Sequence, residues 1–596
     1  MAETPLLAFT ILRPGLCLLV ALSAFGWGCV LDRNRSMSIA QRFCFGLFAL
    51  IFVFWIPGFF RAWGGALAMS LTLPAALLGC LQLRARWSFF SWPSFGWPWL
   101  GGFLLCVCFV VAFIRASAPP YFIDQLQYQL PLAHQLFFDK GFGAGTDFFF
   151  ANLTSTGVHE SLGALLMNLG GDGACLSLFN LVIFAFTLAE LCPRARCRDL
   201  GFWFVLLLLP FCGAFFHSVV YGKTEVLLGL AVVCFFNRAR SVLGSDNICW
   251  DKAVGCGLLF AFVLCTKLSA VLPAFAALML LSYLVVMKKL SCSMACFFVL
   301  GALLPLALLA LKNNIILGMP WFPFVLKPEA APQVLEQGVS SWASSGLSVG
   351  LWQRLTMALQ QASGFFPLRH FGMGNYFYLV VLVALAAIIK RQWLFVFLLF
   401  CCVLNWAYWL CTYLFPASTL RIHLPFFLLP MAVLPAVLKT TPKSFNVILV
   451  AVASMGAMVF LWREARILPG LRVHLGQQKP SEFQVLMGNR IAALQPDIEA
   501  IPEGEGIAVC SEFAGALYGR AFVVVNLSTR LQKHSSLSAE QLIGWMRDEG
   551  VQHFILQGQT HAAQVWAAVE SGLGSDRLAL KKRFGDVLMV SLRASP

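Results

Sequence analysis

The chain has 596 residues, of which 59% are hydrophobic and only 12% charged, and its mean hydropathy is +0.79. Soluble globular proteins carry about 25% charged residues, so an ordinary soluble protein is excluded. The net charge of +15 does not make a nucleic-acid binder, because the basic residues sit in short clusters between apolar runs and not on one surface.

Apolar runs close to the roughly 20 residues that cross a bilayer recur over the first 460 positions. Taken in order, they predict about fourteen spans, near 9–30, 43–60, 64–83, 98–114, 173–191, 200–219, 224–237, 253–267, 269–287, 292–311, 374–389, 393–411, 424–438 and 444–462. Every second connection is basic: Arg33/Arg35/Arg42, Arg84/Arg86, Arg194/Arg196/Arg198, Arg238/Arg240/Lys252, Lys288/Lys289, Lys390/Arg391 and Lys439/Lys443. These clusters fall on one side if the span count holds, and the positive-inside rule makes that side cytoplasmic. The first run is long and no small-residue cleavage site follows it, so it reads as a span with its N-terminus outside. The chain then divides into N-terminal helices (1–114), a first outer loop (115–172), a helical bundle (173–462) with a second outer loop at 312–372, and an outer tail (475–596).

Most of the 20 cysteines, such as Cys17, Cys265 and Cys402, lie inside apolar runs and read as small hydrophobes. Cys192 and Cys197 lack a second ligand pair, so they predict no zinc site. Cys510 is alone in the tail, so no disulfide framework is expected there. In the tail, 506–510, 521–525, 551–556 and 583–592 read as strands and 538–547 as a helix capped by Ser538. That alternation predicts a small α/β domain, with a structural cap as its plainer role and assistance in binding as the alternative.

The first outer loop carries Asp124 just after a span, with Tyr128 and Gln127 within about one turn. A carboxylate near apolar walls can accept a proton from an acceptor hydroxyl or amine, or it can simply cap the next helix. Lys267 lies beside an apolar run, where a charge is costly, and either binds an anion or snorkels to the interface. Arg421 stands at an outer helix start against the positive-inside trend, as a phosphate grip or an interfacial anchor. Lys223 and Glu225 read as a pair, and Asn313 with Asn314 as a helix-end cap.

Several short elements recur in order: Asp124 with Tyr128 and Pro131, then His159-Glu160-Ser-Leu-Gly, then His217 through Lys223-Thr-Glu225. Cys265-Thr-Lys267-Leu-Ser-Ala, Leu311-Lys-Asn313-Asn with Gly318 and Pro320, and Arg421-Ile-His-Leu-Pro425 follow. The series resembles the GT-C-fold membrane glycosyltransferases, which include the protein O-mannosyltransferases and the lipid A aminoarabinose transferase, and more closely a set of bacterial relatives. It spans about residues 115–440 and extends to the α/β tail. A histidine that relatives carry beside the tyrosine is Gln129 here, with His134 nearby in another register. Glu225 stands in the region where relatives usually carry Asp.

The resemblance implies an all-α polytopic protein of the bacterial inner membrane with its α/β domain outside. It also implies transfer of a sugar from a polyprenyl-phosphate-sugar lipid to an acceptor at the outer face. Asp124 would be the general base, Lys267 and Arg421 would hold the donor phosphate, and Tyr128, His134, His159, Glu160, Lys223, Glu225 and Asn313 would line the donor or acceptor sites. Some relatives use a divalent metal; Asp124, Glu160 and Glu225 offer oxygen ligands, but their spacing forms no metal motif. The alternative is a transporter or flippase of lipid-linked saccharides, which would show intramembrane charge pairs and a helix repeat. A non-catalytic scaffold would leave the Asp124 loop and the 312–372 loop without a purpose.

Overall fold

The computed structural model describes residues 11–32, 36–84, 97–120, 129–142, 156–191, 200–244, 250–287, 291–318, 320, 350, 352–353, 356, 375–412, 416–466, 469–475, 477–487, 489–502, 505–510, 524–526, 551–557, 578–585 and 587–592. Every expected span meets a helix, in one case a bent pair. These are α1 (Arg13–Leu31), α2 (Ile39–Gly58), α3 (Gly65–Arg84), α4 (Trp97–Ala116), α7 (Gly173–Leu191), the pair α8 (Leu200–Leu208) and α9 (Gly213–Val220), α10 (Thr224–Leu243) and α11 (Trp250–Thr266). The others are α12 (Val271–Val286), α13 (Cys292–Leu317), α14 (Asn375–Ile389), α15 (Trp393–Thr412), α16 (Pro416–Lys439) and α17 (Lys443–Arg466). Among the described residues, seven helices are long and apolar enough to cross a membrane, or eight with the bent pair, so the structure establishes a polytopic helical protein without fixing the count at fourteen.

Two short helices stand between α4 and α7: α5 (Leu130–Phe138) and α6 (Val158–Asn168). α6 is buried on every side from Val158 to Met167. Its polar residues are therefore interior groups.

Small residues let the helices approach. A Cβ on Gly46 of α2 would sit 1.6 Å from the Ala24 carbonyl oxygen of α1, and one on Gly257 of α11 would sit 1.8 Å from the Phe298 oxygen of α13. Backbone-to-backbone packing of this kind supplies the dispersion contacts that hold helices together where lipid offers no hydrophobic drive. The α8–α9 pair bends by 61° at a break containing Pro210, whose missing N–H and ring cannot continue a helix. The break lets α9 return toward one end of the bundle.

Polar contacts sort the helix ends into two groups, in register with the expected alternation. At one end, which carries the basic connections, Asp32 after α1 pairs with Arg42 of α2 at 2.6 Å and accepts from the Ser36 and Met37 N–H groups. Beside it, Glu190 of α7 accepts from Ser38, from Gln41 at 2.7 Å and from Asn237 of α10 at 3.1 Å. At the other end Arg13 of α1 pairs with Asp172 and donates to the Ser117 carbonyl at 2.7 Å.

After α17 come α18 (Pro469–His474), α19 (Pro480–Leu486), a 3-10 turn (Arg490–Leu494) and α20 (Gln495–Glu499), and then a five-stranded mixed sheet in the order β2-β1-β3-β5-β4. The strands are β1 (Gly506–Cys510), β2 (Val524–Asn526), β3 (Val551–Gln557), β4 (Leu578–Phe584) and β5 (Val587–Leu592). β1 lies parallel to β2 and β3, and β5 lies antiparallel to β3 and β4. The expected strand at 583–592 is a hairpin, because Gly585 adopts φ +60 and turns the chain between β4 and β5. The strand read at 521–525 is described only as Val524–Asn526, and the helix read at 538–547 lies outside the described residues. Ile507, Val509, Ile555, Val587 and Met589 form the sheet core with Ile491 and Leu494. His553 of β3 bridges Ser591 of β5 at 2.7 Å and Glu505, the residue before β1, at 2.5 Å.

Candidate functional site

Five helices bring charged side chains together at the end of the bundle opposite the Asp32–Arg42 pair. The first turn of α6 supplies His159 and Glu160, 0% and 1% exposed. Gly157 starts that helix in the left-handed region, at φ +86. A Cβ there would meet Lys312 Cε at 3.1 Å and Nζ at 3.3 Å, so the Lys312 side chain of α13 lies against the start of α6. A helix N-terminus is electropositive, and an ammonium beside it adds like charge, so the arrangement favours an anion.

Lys312 is 1% exposed, and its Nζ has no hydrogen-bond partner among the described residues. Glu160 Oε2 also has none, although its charge acts on both Lys312 and His159. Burial pushes the His159 pKa down, against the opposing Glu160 and Glu225 charges and its hydrogen bond to Asn180, so the ring is neutral at physiological pH. Asn180 Oδ1 of α7 accepts from His159 Nε2 at 3.3 Å, and the Asn180 amide N–H donates to the Lys223 carbonyl at 2.9 Å.

Lys223 caps α10 at its N-terminus, after a turn in which Gly222 takes φ +62. Two residues on, buried Glu225 accepts from Lys267 Nζ at 2.7 Å. Lys267 sits where α11 ends and a 3-10 turn (Leu268–Ala270) begins, so its side chain leaves the α11 stripe. Thr156 donates to the Thr266 carbonyl at 3.0 Å and fixes that junction to the lead of α6. His423 of α16, 1% exposed, lies within reach of the Lys267 charge and bonds Asn405 of α15 at 2.9 Å.

The structure thus unites His159, Glu160, Glu225 and Lys267 and places the Lys223 backbone beside them. Snorkelling of Lys267 is replaced by its ion pair with Glu225. Asn313 is buried next to Lys312 but does not cap α13; Gly318, at φ +65, does so with its N–H on the Asn314 carbonyl. His134 belongs elsewhere: it is partly buried on α5, stacks on Phe138 and feels Asp172. Burial pushes its pKa down to about 4. Asp124 and Tyr128 lie outside the described residues, as does the side chain of Arg421, whose backbone is in α16 two residues before His423.

Sequence reasoning passed over Lys312, Asn180 and His423. Lys312 was legible: it is a lysine inside a 26-residue helix that is otherwise apolar until Asn313, and such a residue is a functional candidate by default. Among the described residues no group of three or more His, Cys, Asp or Glu side chains converges as a metal centre.

No family profile matches the chain, and no curated protein matches it. Among solved structures it is similar to the crystal structure of ArnT from Cupriavidus metallidurans bound to undecaprenyl phosphate, at 12% identity and a TM-score of 0.44, covering 83% of this chain and 97% of that one. It is similar to the same protein in the apo state at the same identity and TM-score, over 82% and 97%. At this distance the likeness fixes neither the activity nor the role of any residue.

Proposed function

We propose that the protein is a membrane glycosyltransferase that moves a sugar from a polyprenyl-phosphate-sugar to an acceptor at the membrane face where the Lys312 cluster lies. The observation that carries this reading is the buried Lys312 ammonium beside the start of α6, with Lys267 on the next helix. An unpaired buried ammonium costs several kcal/mol. A phosphate held there would offset that cost, and its charge would grow as the sugar departs.

The reaction is a displacement at the anomeric carbon. The acceptor O–H or N–H attacks that carbon while a base takes its proton, and the bond to phosphate oxygen breaks with its electrons moving to the phosphate. Lys312 and Lys267 stabilise the leaving phosphate, and Arg421 of α16 is assigned as a further grip on it. Asp124, in the segment between Pro120 and Gln129, is assigned as the base. Glu225 holds Lys267 in place. Apolar helix faces around the site accept the prenyl chain.

This reading fits the one-sided placement of unsatisfied charge better than a flippase does, since a flippase needs a polar path to both faces. The test is release of polyprenyl phosphate from a labelled polyprenyl-phosphate-sugar by the solubilised protein in the presence of cell-envelope extract. Release that depends on the protein and disappears in Asp124→Asn supports the reading. Undiminished release by Asp124→Asn refutes the assignment of the base. A deletion strain with an unchanged cell-surface glycan profile refutes the function.

A further inference from the structure

The chain between the bundle and the sheet does more than connect them. Glu464, at the end of α17 and 2% exposed, is paired with Arg115, the penultimate residue of α4. It also accepts from Arg463 at 2.8 Å, and His217 of α9 approaches it at 3.9 Å. The His217 ring stacks on Tyr221 at 5.4 Å, and Arg115 donates to the Tyr221 hydroxyl at 3.5 Å. Phe460 of α17 stands edge-on to Phe216 at 5.1 Å, sealing this network from the apolar side. Tyr221 opens the tight turn through Gly222 and Lys223 that ends in Glu225.

The chain after Glu464 grips a second segment. Gly470 of α18 packs so tightly that a Cβ there would sit 2.9 Å from the Ala118 Cβ and 3.3 Å from the Ile114 oxygen. Gln484 of α19 donates to the Pro120 carbonyl at 2.9 Å. Val473 and Phe483 are buried in the core of the helical bundle and not in that of the sheet. Residues 464–484 therefore hold two segments at once. One is the turn two residues before Glu225, and the other runs from the end of α4 to Pro120.

We infer that the lead-in from Glu464 through α18 and α19 is a positioning strap that sets the turn before Glu225 and the stretch from Ile114 to Pro120, with Glu464 as its central positioning residue. The inference rests on the proposed transferase reading. A buried ion pair has sharp geometry, because neither partner can be left alone in a dry site without a large penalty. It is a stiff means of transmitting position. Misplacing a reacting group by about 1 Å can cost on the order of 100-fold in rate. The strap reaches Lys267 only through Glu225, and among the described residues it does not touch Lys312, so the phosphate grip at Lys312 stays in place when the strap is loosened.

The experiment compares the full-length wild type with Glu464→Gln, which keeps the size but loses the charge, Glu464→Asp, which keeps the charge, and Gly470→Val, which pushes α18 from Ala118. Transfer from a labelled polyprenyl-phosphate-sugar, binding of polyprenyl phosphate and hydrogen exchange are read on each. Glu464→Gln and Gly470→Val are expected to lower kcat at least about tenfold, with KM and polyprenyl-phosphate Kd changed less than about twofold. Glu464→Asp is expected to recover most of the rate. Exchange should rise in peptides covering 217–226 for Glu464→Gln and 114–120 for Gly470→Val.

Unchanged exchange in those peptides overturns the inference, as does an unchanged kcat in an active enzyme. Parallel loss of kcat and polyprenyl-phosphate binding also overturns it, because that marks a general packing role. A wild type with no transfer activity, whose exchange nevertheless responds as expected, overturns the transferase reading and leaves the strap standing.

Discussion

The two ends of the helical bundle treat buried charge in opposite ways. At the basic end Asp32 takes two backbone N–H groups and the Arg42 guanidinium, and Glu190 is served by Ser38, Gln41 and Asn237. Nε of Arg238, without a hydrogen-bond partner among the described residues, is an exception there. At the other end Lys312 Nζ, Glu160 Oε2, His159 Nδ1 and Ser269 Oγ have no hydrogen-bond partner among the described residues. Both ends are equally enclosed, with Arg42, Glu190, Lys312 and Glu160 all under 3% exposed. Burial alone therefore does not separate structure from function. Satisfaction does: a complete network rigidifies helix ends, while an incomplete one keeps free energy available for a ligand.

The contrast can be broken by mutation. The largest effect belongs to the proposed base. Asp124→Asn is expected to lower transfer at least about 100-fold while leaving membrane insertion and polyprenyl-phosphate binding intact. Next come two substitutions that should move stability in opposite directions. Arg42→Met strands Asp32 and is expected to destabilise the protein by about 3–5 kcal/mol, with no change in affinity for polyprenyl phosphate, read by thermal unfolding in detergent and by binding. Lys312→Met removes an unpartnered charge and is expected to raise stability by about 1–4 kcal/mol while weakening that affinity. If both variants destabilise and neither alters binding, the two ends are alike and the contrast fails.

Glu225→Gln sharpens the picture at a smaller scale. The amide still accepts from Lys267 but no longer balances its charge, so polyprenyl phosphate is expected to bind about as well or slightly better while transfer falls roughly tenfold. The smallest effect concerns His134. Its pKa is about 4 in the folded protein, against about 6.5 in an unfolded chain. The folded state therefore prefers the neutral ring. The stability this contributes is complete above about pH 6.5 and is lost as pH falls toward about 4. His134→Phe is expected to flatten the unfolding profile slightly in that window and leave transfer unchanged; a changed transfer rate would return His134 to the site.

Much of the architecture was legible in composition alone. An apolar run near bilayer length has few alternatives to a helix, and every expected span meets one. Strand β1 was readable as a run of small and apolar residues, Gly506–Cys510, and β3 by the apolar Phe554-Ile555-Leu556 near its end. The β4–β5 hairpin was missed because a glycine turn inside an apolar run does not interrupt the hydrophobic pattern. The burial of α6 was missed for a different reason. Its helical period is clear, but which neighbours cover its polar side depends on α2, α7, α11 and α13, far away in sequence.

The site was legible in part. Lys267, Glu225, His159 and Glu160 stood out as charges near apolar runs, and they do meet. Their pairing was not legible: Glu225 pairs with Lys267, 42 residues on, whereas local spacing pointed to Lys223. Lys312 was overshadowed by Asn313 and Asn314, whose polar character suggested a helix end one turn before the real one at Gly318. The strap from Glu464 to Gln484 joins residues more than 300 positions apart, and no local pattern encodes that contact.

The central claim is that the Lys312 ammonium awaits a phosphate. Its most direct test is binding of polyprenyl phosphate to the solubilised full-length protein, wild type against Lys312→Met, with neutral polyprenol as the control. The account predicts that the wild type prefers the phosphate to the alcohol at least about tenfold and that Lys312→Met abolishes the preference while still binding polyprenol. A preference that survives unchanged in Lys312→Met would contradict it.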